Sequence, residues 1–188
     1  KPSSFYGEKG VACLRMYNID NNKILWFNIK RMNLSKKEIE EYGLREGDLL
    51  INRVNSRELV GKSAVIPKDM EQSVFESKNI RLRTNKSLLI KYLSYWFLLS
   101  GREYFDKNAQ QTVGMASVNQ KQIGDMPLPY TSPDNQQKIV QEIEDKFSVI
   151  DKIEQVVEAS LDKAEKLRKS ILKSAFEGKL VKMEGVKE

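Results

Sequence analysis

Apolar positions recur through the last third of the chain at one helical spacing. Ile139, Ile143, Phe147, Ile150, Ile153, Val157, Leu161, Ala164, Leu167, Ile171 and Ala175 make ten steps over 36 residues, a mean of 3.6. That period draws one stripe along a nearly straight helix, whereas a strict 3.5 repeat would impose a left-handed supercoil. Ser132 suits the N-cap, Pro133 the first helical position and Asp134 the first turn. Gly178, after Phe176 and Glu177, is the stop signal. No Pro or Gly interrupts the segment, so it reads as one helix rather than a hairpin. At ~1.5 Å per residue the helix is roughly 67 Å long, against about 30 Å for a small domain, so it is expected to project and to need a partner for its stripe.

The pattern in residues 1–131 is shorter in period. Val11 to Met16 and Lys23 to Ile29 read as strands around an Asp20-Asn21-Asn22 turn. Ser35 and Glu38 form a capping box for a short helix ending near Gly43. Gly47-Asp48 turns into the strand Leu49 to Ile51, and Gly61 leads into the strand Ser63 to Ile66. Ile80 to Arg83 alternates like an exposed strand. Asn85 is expected to cap a helix from Lys86 to about Phe105, with Leu89, Tyr92, Trp96 and Leu99 on one face. Asp106 to Asn119 reads as polar and irregular, Asn119 as the cap of a single helical turn, and Met126 to Pro129 as strand-like. The reading is an α+β globular domain over 1–131, then a segment over 132–188 made of the long helix (about 133–177) and a short tail.

Composition narrows the chemistry. The 188 residues include no histidine and one cysteine, Cys13. This excludes Ser-His-Asp and Cys-His catalysis, histidine-based zinc sites, multi-cysteine metal sites and an internal disulfide framework. No run approaches the ~18 apolar residues of a membrane span, and no signal peptide is visible. The chain opens on Lys1 rather than Met, as a fragment or a processed chain does. Two strings imitate enzyme motifs. Asp125 to Tyr130 resembles the acidic-Pro-Pro-aromatic loop of amino-methyltransferases, but Leu128 splits its prolines and no Gly-rich cofactor loop lies upstream. Pro133-Asp134 with Glu144-Asp145-Lys146 matches a nuclease string, but Asp134 and Glu144 on one helix lie ~15 Å apart and cannot share a metal. No metal or catalytic residue is assigned.

The net charge of +6 is unevenly spread. Residues 1–130 carry 21 Lys and Arg against 14 Asp and Glu, a surplus that suits a polyanion partner. Residues 131–165 carry 4 positive and 9 negative charges, and residues 166–188 carry 7 and 3. Acid first and base last makes the helix complementary to a second copy running the opposite way. Two polar loops offer groups for base edges: Arg53, Asn55, Arg57 and Lys62 in the first, and Gln110, Gln111, Thr112, Ser117 and Asn119 in the second. Arg suits guanine, and Asn or Gln suits adenine, in the major groove.

Gly47-Asp48-Leu49-Leu50-Ile51 with Val60-Gly61-Lys62 resembles an element of the target-recognition domains in specificity subunits of type I restriction-modification systems. Met115 to Pro129 resembles the segment that closes such a domain. Pro133 to Val181, with Gln136 to Val140 at its start and Leu167 to Val181 at its end, resembles the family's spacer helix. The resemblance implies a non-catalytic, cytoplasmic subunit that reads one half of a split double-stranded DNA target. It also implies docking to modification subunits, which hold S-adenosylmethionine and methylate adenine, and to restriction subunits where these join; no cofactor is expected in this chain. The family usually has two recognition domains and two spacer helices, whereas this chain has one of each and lacks the residues that usually precede Tyr6-Gly7. It is therefore expected to be half of a subunit, or a half-length subunit that pairs as a homodimer through antiparallel helices. The pairing residues would be Ile143, Phe147, Ile150, Ile153, Val157, Leu161, Leu167 and Ile171. The competing reading is a helical assembly module without DNA specificity of its own.

Overall fold

A computed structural model describes residues 6–180 and shows a mixed α+β chain. The elements in chain order are β1 (Tyr6–Gly7), β2 (Val11–Leu14), β3 (Ile19–Asp20), β4 (Lys23–Ile24), β5 (Lys30–Met32), α1 (Lys36–Tyr42), β6 (Leu49–Asn52), β7 (Val54–Asn55), β8 (Ser63–Val65), β9 (Ser73–Phe75) and β10 (Asn79–Leu82). There follow α2 (Ile90–Trp96), a π-helical turn (Phe97–Gly101), α3 (Arg102–Asn108), β11 (Gln110–Thr112), β12 (Met115–Ser117), α4 (Gln120–Gly124) and α5 (Pro133–Phe176). The chain divides into two compact units, Lys1–Val140 and Gln141–Glu188, the boundary falling inside α5.

In the first unit, β1-β5-β2-β9 form one sheet, with only β2 and β9 parallel. A second sheet is β10-β6-β8 and a third is β11-β12-β7, both antiparallel. Strand β6 is buried along its whole length, so its two faces feed two clusters. Leu49 and Ile51 meet Leu93, Phe97 and Phe105, while Leu50 meets Leu14, Ile19 and Ile66. Each such side chain contributes about 1.5–3 kcal/mol by leaving water.

Local signals determine much of this unit. Ser35 Oγ accepts from the Glu38 N–H (3.3 Å), and Glu38 accepts from the Ser35 N–H (2.8 Å), closing the expected capping box. Asn21 and Asn22, at φ 44° and 59°, make the two-residue turn between β3 and β4. Gly61 sits at φ +85°, and a Cβ there would lie 2.1 Å from the Phe105 ring, so only glycine fits.

Four expectations are corrected. The strand over Lys23 to Ile29 stops at Ile24, because Asn18 gathers the Leu25 and Phe27 carbonyls (3.0 and 2.9 Å) and Asn28 turns at φ 49°. The single helix over Lys86 to Phe105 starts at Ile90, and its π-helical turn shifts the inward face to Leu93, Phe97 and Phe105, leaving Leu99 exposed. The segment Asp106 to Asn119 is ordered: it ends α3 at Asn108 and then forms the β11–β12 hairpin over Gln110 to Ser117, with Gly114 at φ +76° in its turn. Met126 to Pro129 forms no strand; the Trp96 indole and the Tyr92 hydroxyl donate to its Pro127 and Pro129 carbonyls (2.7 and 2.6 Å).

Helix α5 starts and stops as its sequence dictates. Ser132 Oγ accepts from the Asn135 N–H (3.4 Å). At the other end Gly178 (φ 70°) donates to Ala175 and Lys179 to Ser174 (3.1 and 2.8 Å), a Schellman closure. Gln136 and Val140, in its first turns, are buried in the first unit. The Gln136 amide donates to Ser87 and Thr131 carbonyls and accepts the Leu89 N–H. In the second unit the apolar stripe is open: Phe147, Ile150, Ile153, Val157, Leu161, Leu167 and Ile171 are between 42% and 64% exposed, and Ile143 is half-buried. Val181 and the rest of the tail lie outside the described residues.

Candidate nucleic-acid interface

The two polar loops singled out from sequence meet in one sheet. Strand β12 pairs with β7 (Ala116 opposite Asn55, Ser117 opposite Val54) and with β11 (Gln110 opposite Ser117, Thr112 opposite Met115). The Val118 N–H donates to the Arg53 carbonyl (2.8 Å) and extends the pairing by one residue. Alternation then sorts the side chains. Asn55 and Ala116 are buried on the inner face. Gln110, Thr112, Met115, Ser117 and Val54 share the other face, where Gln110, Thr112 and Met115 are exposed. This outer face is a small polar platform on a backbone ladder, which holds donors and acceptors more firmly than a free loop would.

The nine nominated residues therefore fall into different roles. Gln110, Thr112 and Ser117 stand together on the platform. The Thr112 hydroxyl donates to the Met115 carbonyl (3.3 Å) and keeps its lone pairs open. Gln111 leans the other way, its amide donating to the Asp106 carbonyl (3.3 Å). Arg53 is half-buried beside the platform, and its Nε has no hydrogen-bond partner among the described residues. A buried guanidinium N–H without an acceptor is costly, and this one is closed to solvent.

Arg57 grips Asp106 with two parallel hydrogen bonds, Nη2 to Oδ2 at 2.8 Å. This contact holds the Asp106 carboxyl below the usual carboxylate range and pushes the Arg57 guanidinium up. Arg57 therefore reaches a base only by letting go of Asp106. Lys62 stands apart from the platform and is ion-paired with Asp20 (2.6 Å).

Two nominated residues have their polar groups turned to the fold itself. Asn55 Nδ2 donates to Asn52 Oδ1 (2.8 Å), and its own Oδ1 accepts the Ser56 N–H (2.9 Å). Asn52 in turn donates to Asn79 Oδ1 (3.0 Å) and the Lys78 carbonyl (3.1 Å), and Asn79 to the Leu14 carbonyl (3.4 Å). This buried asparagine chain ties β7 to the ends of β2 and β10. Asn119 caps α4: its Oδ1 accepts the Gln122 N–H (2.9 Å). Neither side chain is presented for base contact.

Sequence reading missed Asp106 as the partner of Arg57, because 49 residues separate them. It also missed the hairpin, although Val113-Gly114 between two short polar runs was the available signal. Among the described residues no group of three or more His, Cys, Asp or Glu side chains could hold a metal, and no helix is long and apolar enough to cross a membrane.

Comparisons with known proteins point one way. A family model described as the type I restriction modification DNA specificity domain matches residues 11–162. The EcoKI type I restriction enzyme specificity subunit of Escherichia coli (strain K12) is 30% identical over 173 residues, covering 90% of this chain and 36% of that protein. The chain thus spans little more than a third of that relative's length. Two solved structures share the fold. One comes from work on complex assembly and conformational transition of the type I R-M system (TM-score 0.70, 18% identity, 96% of this chain and 42% of that one). The other is an HsdS subunit from Thermoanaerobacter tengcongensis (TM-score 0.62, 13% identity, 95% and 45%).

Proposed function

Because the chain belongs to the type I restriction-modification DNA specificity family, we propose that it is a non-catalytic reader of one half of a bipartite double-stranded DNA target. It works in the cytoplasm beside modification subunits, which supply S-adenosylmethionine and the methyl transfer. The observation that carries this reading is the three-stranded sheet that gathers Gln110, Thr112 and Ser117 on one outward face. Amide and hydroxyl groups on that face suit base edges.

The second unit supplies the other half of the proposal. Its open apolar stripe, with acid toward one end and base toward the other, favours an antiparallel copy of the same helix. Such a pair would set the distance between two half-sites and give a symmetric, palindromic split target. Modification subunits, and restriction subunits where present, would dock on that assembly.

The test is a selection from a duplex library with a randomised centre, using the chain assembled with its modification subunits. Enrichment of a split sequence, with affinity falling steeply as salt rises, is the expected result. Recovery of an unenriched library would contradict sequence-specific reading and leave an assembly module in its place.

A further inference from the structure

A second patch lies next to the polar platform and was not singled out by the sequence. Tyr17, Trp26 and Phe27 are 58%, 45% and 54% exposed, in the connections that flank the β3–β4 hairpin. They are not loosely hung. Asn18, buried, holds the loop from inside: its Oδ1 accepts the Arg15 N–H (3.0 Å), its Nδ2 donates to the Leu25 and Phe27 carbonyls, and its own carbonyl accepts the Leu25 N–H (2.9 Å). Arg15 closes the outside, its guanidinium donating to the Asn28 carbonyl (3.1 Å) and lying 5.5 Å from the Tyr17 ring centre. Asn28 accepts a left-handed φ of 49° to complete the turn. Three aromatic side chains are thus fixed facing water, at a cost that the packing of the domain does not explain.

The charge around the patch selects its partner. Arg15 and Lys78 flank it, the Lys78 ammonium lying 3.6 Å from Met16 Sδ. Nearby acids are engaged: Glu76 accepts the Met16 N–H (2.6 Å) and Asp20 holds Lys62. Arg15 Nε, like Arg53 Nε, has no partner among the described residues. The patch also adjoins the platform, since the Lys78 carbonyl accepts both the Arg53 N–H (2.8 Å) and Asn52 Nδ2. Aromatic faces between cations, with the acids already occupied, suit a polyanion that also offers apolar surface.

We propose that the Tyr17–Trp26–Phe27 patch is a second contact for the same duplex DNA. Trp26 and Phe27 lie against sugar faces, thymine methyls or an opened base step, and Arg15 and Lys78 hold the flanking phosphates. This rests on the proposed DNA-reading function. It adds that the reader grips DNA on two sides of the buried Asn52–Asn55–Asn79 chain, which keeps the two contacts in register.

The experiment compares wild type with Trp26→Ala/Phe27→Ala, Lys78→Ala and Trp26→Phe, each assembled with modification subunits and titrated with the duplex recovered by selection and with mixed-sequence duplex. The double alanine variant is expected to bind about tenfold more weakly or worse while staying folded, with a melting temperature lowered by a few degrees because each ring is about half covered. Lys78→Ala should weaken all duplexes alike and lower the salt slope by about one. The chain has two tryptophans, and Trp96 is held by Pro127. DNA-induced quenching should therefore be smaller in Trp26→Phe than in wild type. Wild-type duplex affinity in the double variant would overturn the proposal while leaving the reading function intact. Quenching of Trp26 by modification subunits alone, with duplex affinity unchanged, would overturn it in favour of a protein-docking face. Failure of wild type itself to bind duplex would overturn the reading function first.

Discussion

The compact unit and the helix beyond it handle the same two demands differently. In the compact unit most buried polar side chains are matched: Asn18, Asn52, Asn55, Asn79 and Gln136 are all hydrogen-bonded, while Arg15 Nε, Asn22 Oδ1 and Arg53 Nε have no partner among the described residues. Its apolar side chains are mostly covered, with scattered exceptions such as Leu99, Val113 and Tyr130 and the cluster at Tyr17, Trp26 and Phe27. The helix over 141–176 satisfies its backbone completely, but its apolar stripe stays open to water along seven positions from Phe147 to Ile171. A region with both demands met can stand alone, and one with only the first met is half of an interface. The difference teaches where the chain needs a second molecule, and along which face.

The largest effect is expected from breaking the open stripe. Val157→Asp places a charge near the middle of the pairing face, which a paired helix cannot solvate. If two copies read two half-sites together, losing the pair removes the gain from linkage, about 10²–10⁴ in affinity for the split target. The melting temperature of the compact unit should not move, and titration with split and single half-site duplexes checks both parts. Next comes the matched interior. Asn52→Ala strands Asn55 Nδ2 and Asn79 Oδ1, while the Lys78 carbonyl keeps the Arg53 N–H, at roughly 3 kcal/mol, or about 6–12 °C in a thermal melt. Pairing through the helix should survive it.

Smaller effects sharpen the comparison within the compact unit. Gln110→Ala should relax preference at one base position, about 1–3 kcal/mol of discrimination, read from the selected sequences. Arg57→Ala should change stability least, since its pair with Asp106 is exposed. Because Arg57 lowers the Asp106 pKa, their contribution is present above the ordinary carboxylate range. It is lost only as the pH falls through the depressed value. Wild type should therefore be slightly more stable than Asp106→Asn near neutral pH, and the two acid titrations should converge as the pH falls through the depressed value.

What could be read from sequence follows the same division. Helix α5 was legible to within a residue at both ends, because Ser132, Pro133 and Gly178 act locally and nothing distant competes. The capping box at Ser35, the cap at Asn119 and the turn at Gly47 were legible for the same reason. The inward face of α2 and α3 was not, because a π-helical turn adds a residue that no periodicity announces. Asn55 resembled a solvated loop residue; its burial depends on Asn52 and, through it, on Asn79, 24 positions further along. The hairpin carrying Gln110 and Thr112 was hidden because its partner strand, β7, lies some 60 residues earlier. The two loops could be nominated one at a time, but only the β12–β7 register joins them.

The central claim is that the helix stripe is one face of a symmetric pair, and the most direct test is the solution mass of the purified chain by light scattering across a concentration series. The account predicts a species at twice 21.7 kDa that dissociates on dilution and is absent in Val157→Asp. A mass of 21.7 kDa for wild type at every concentration would contradict it.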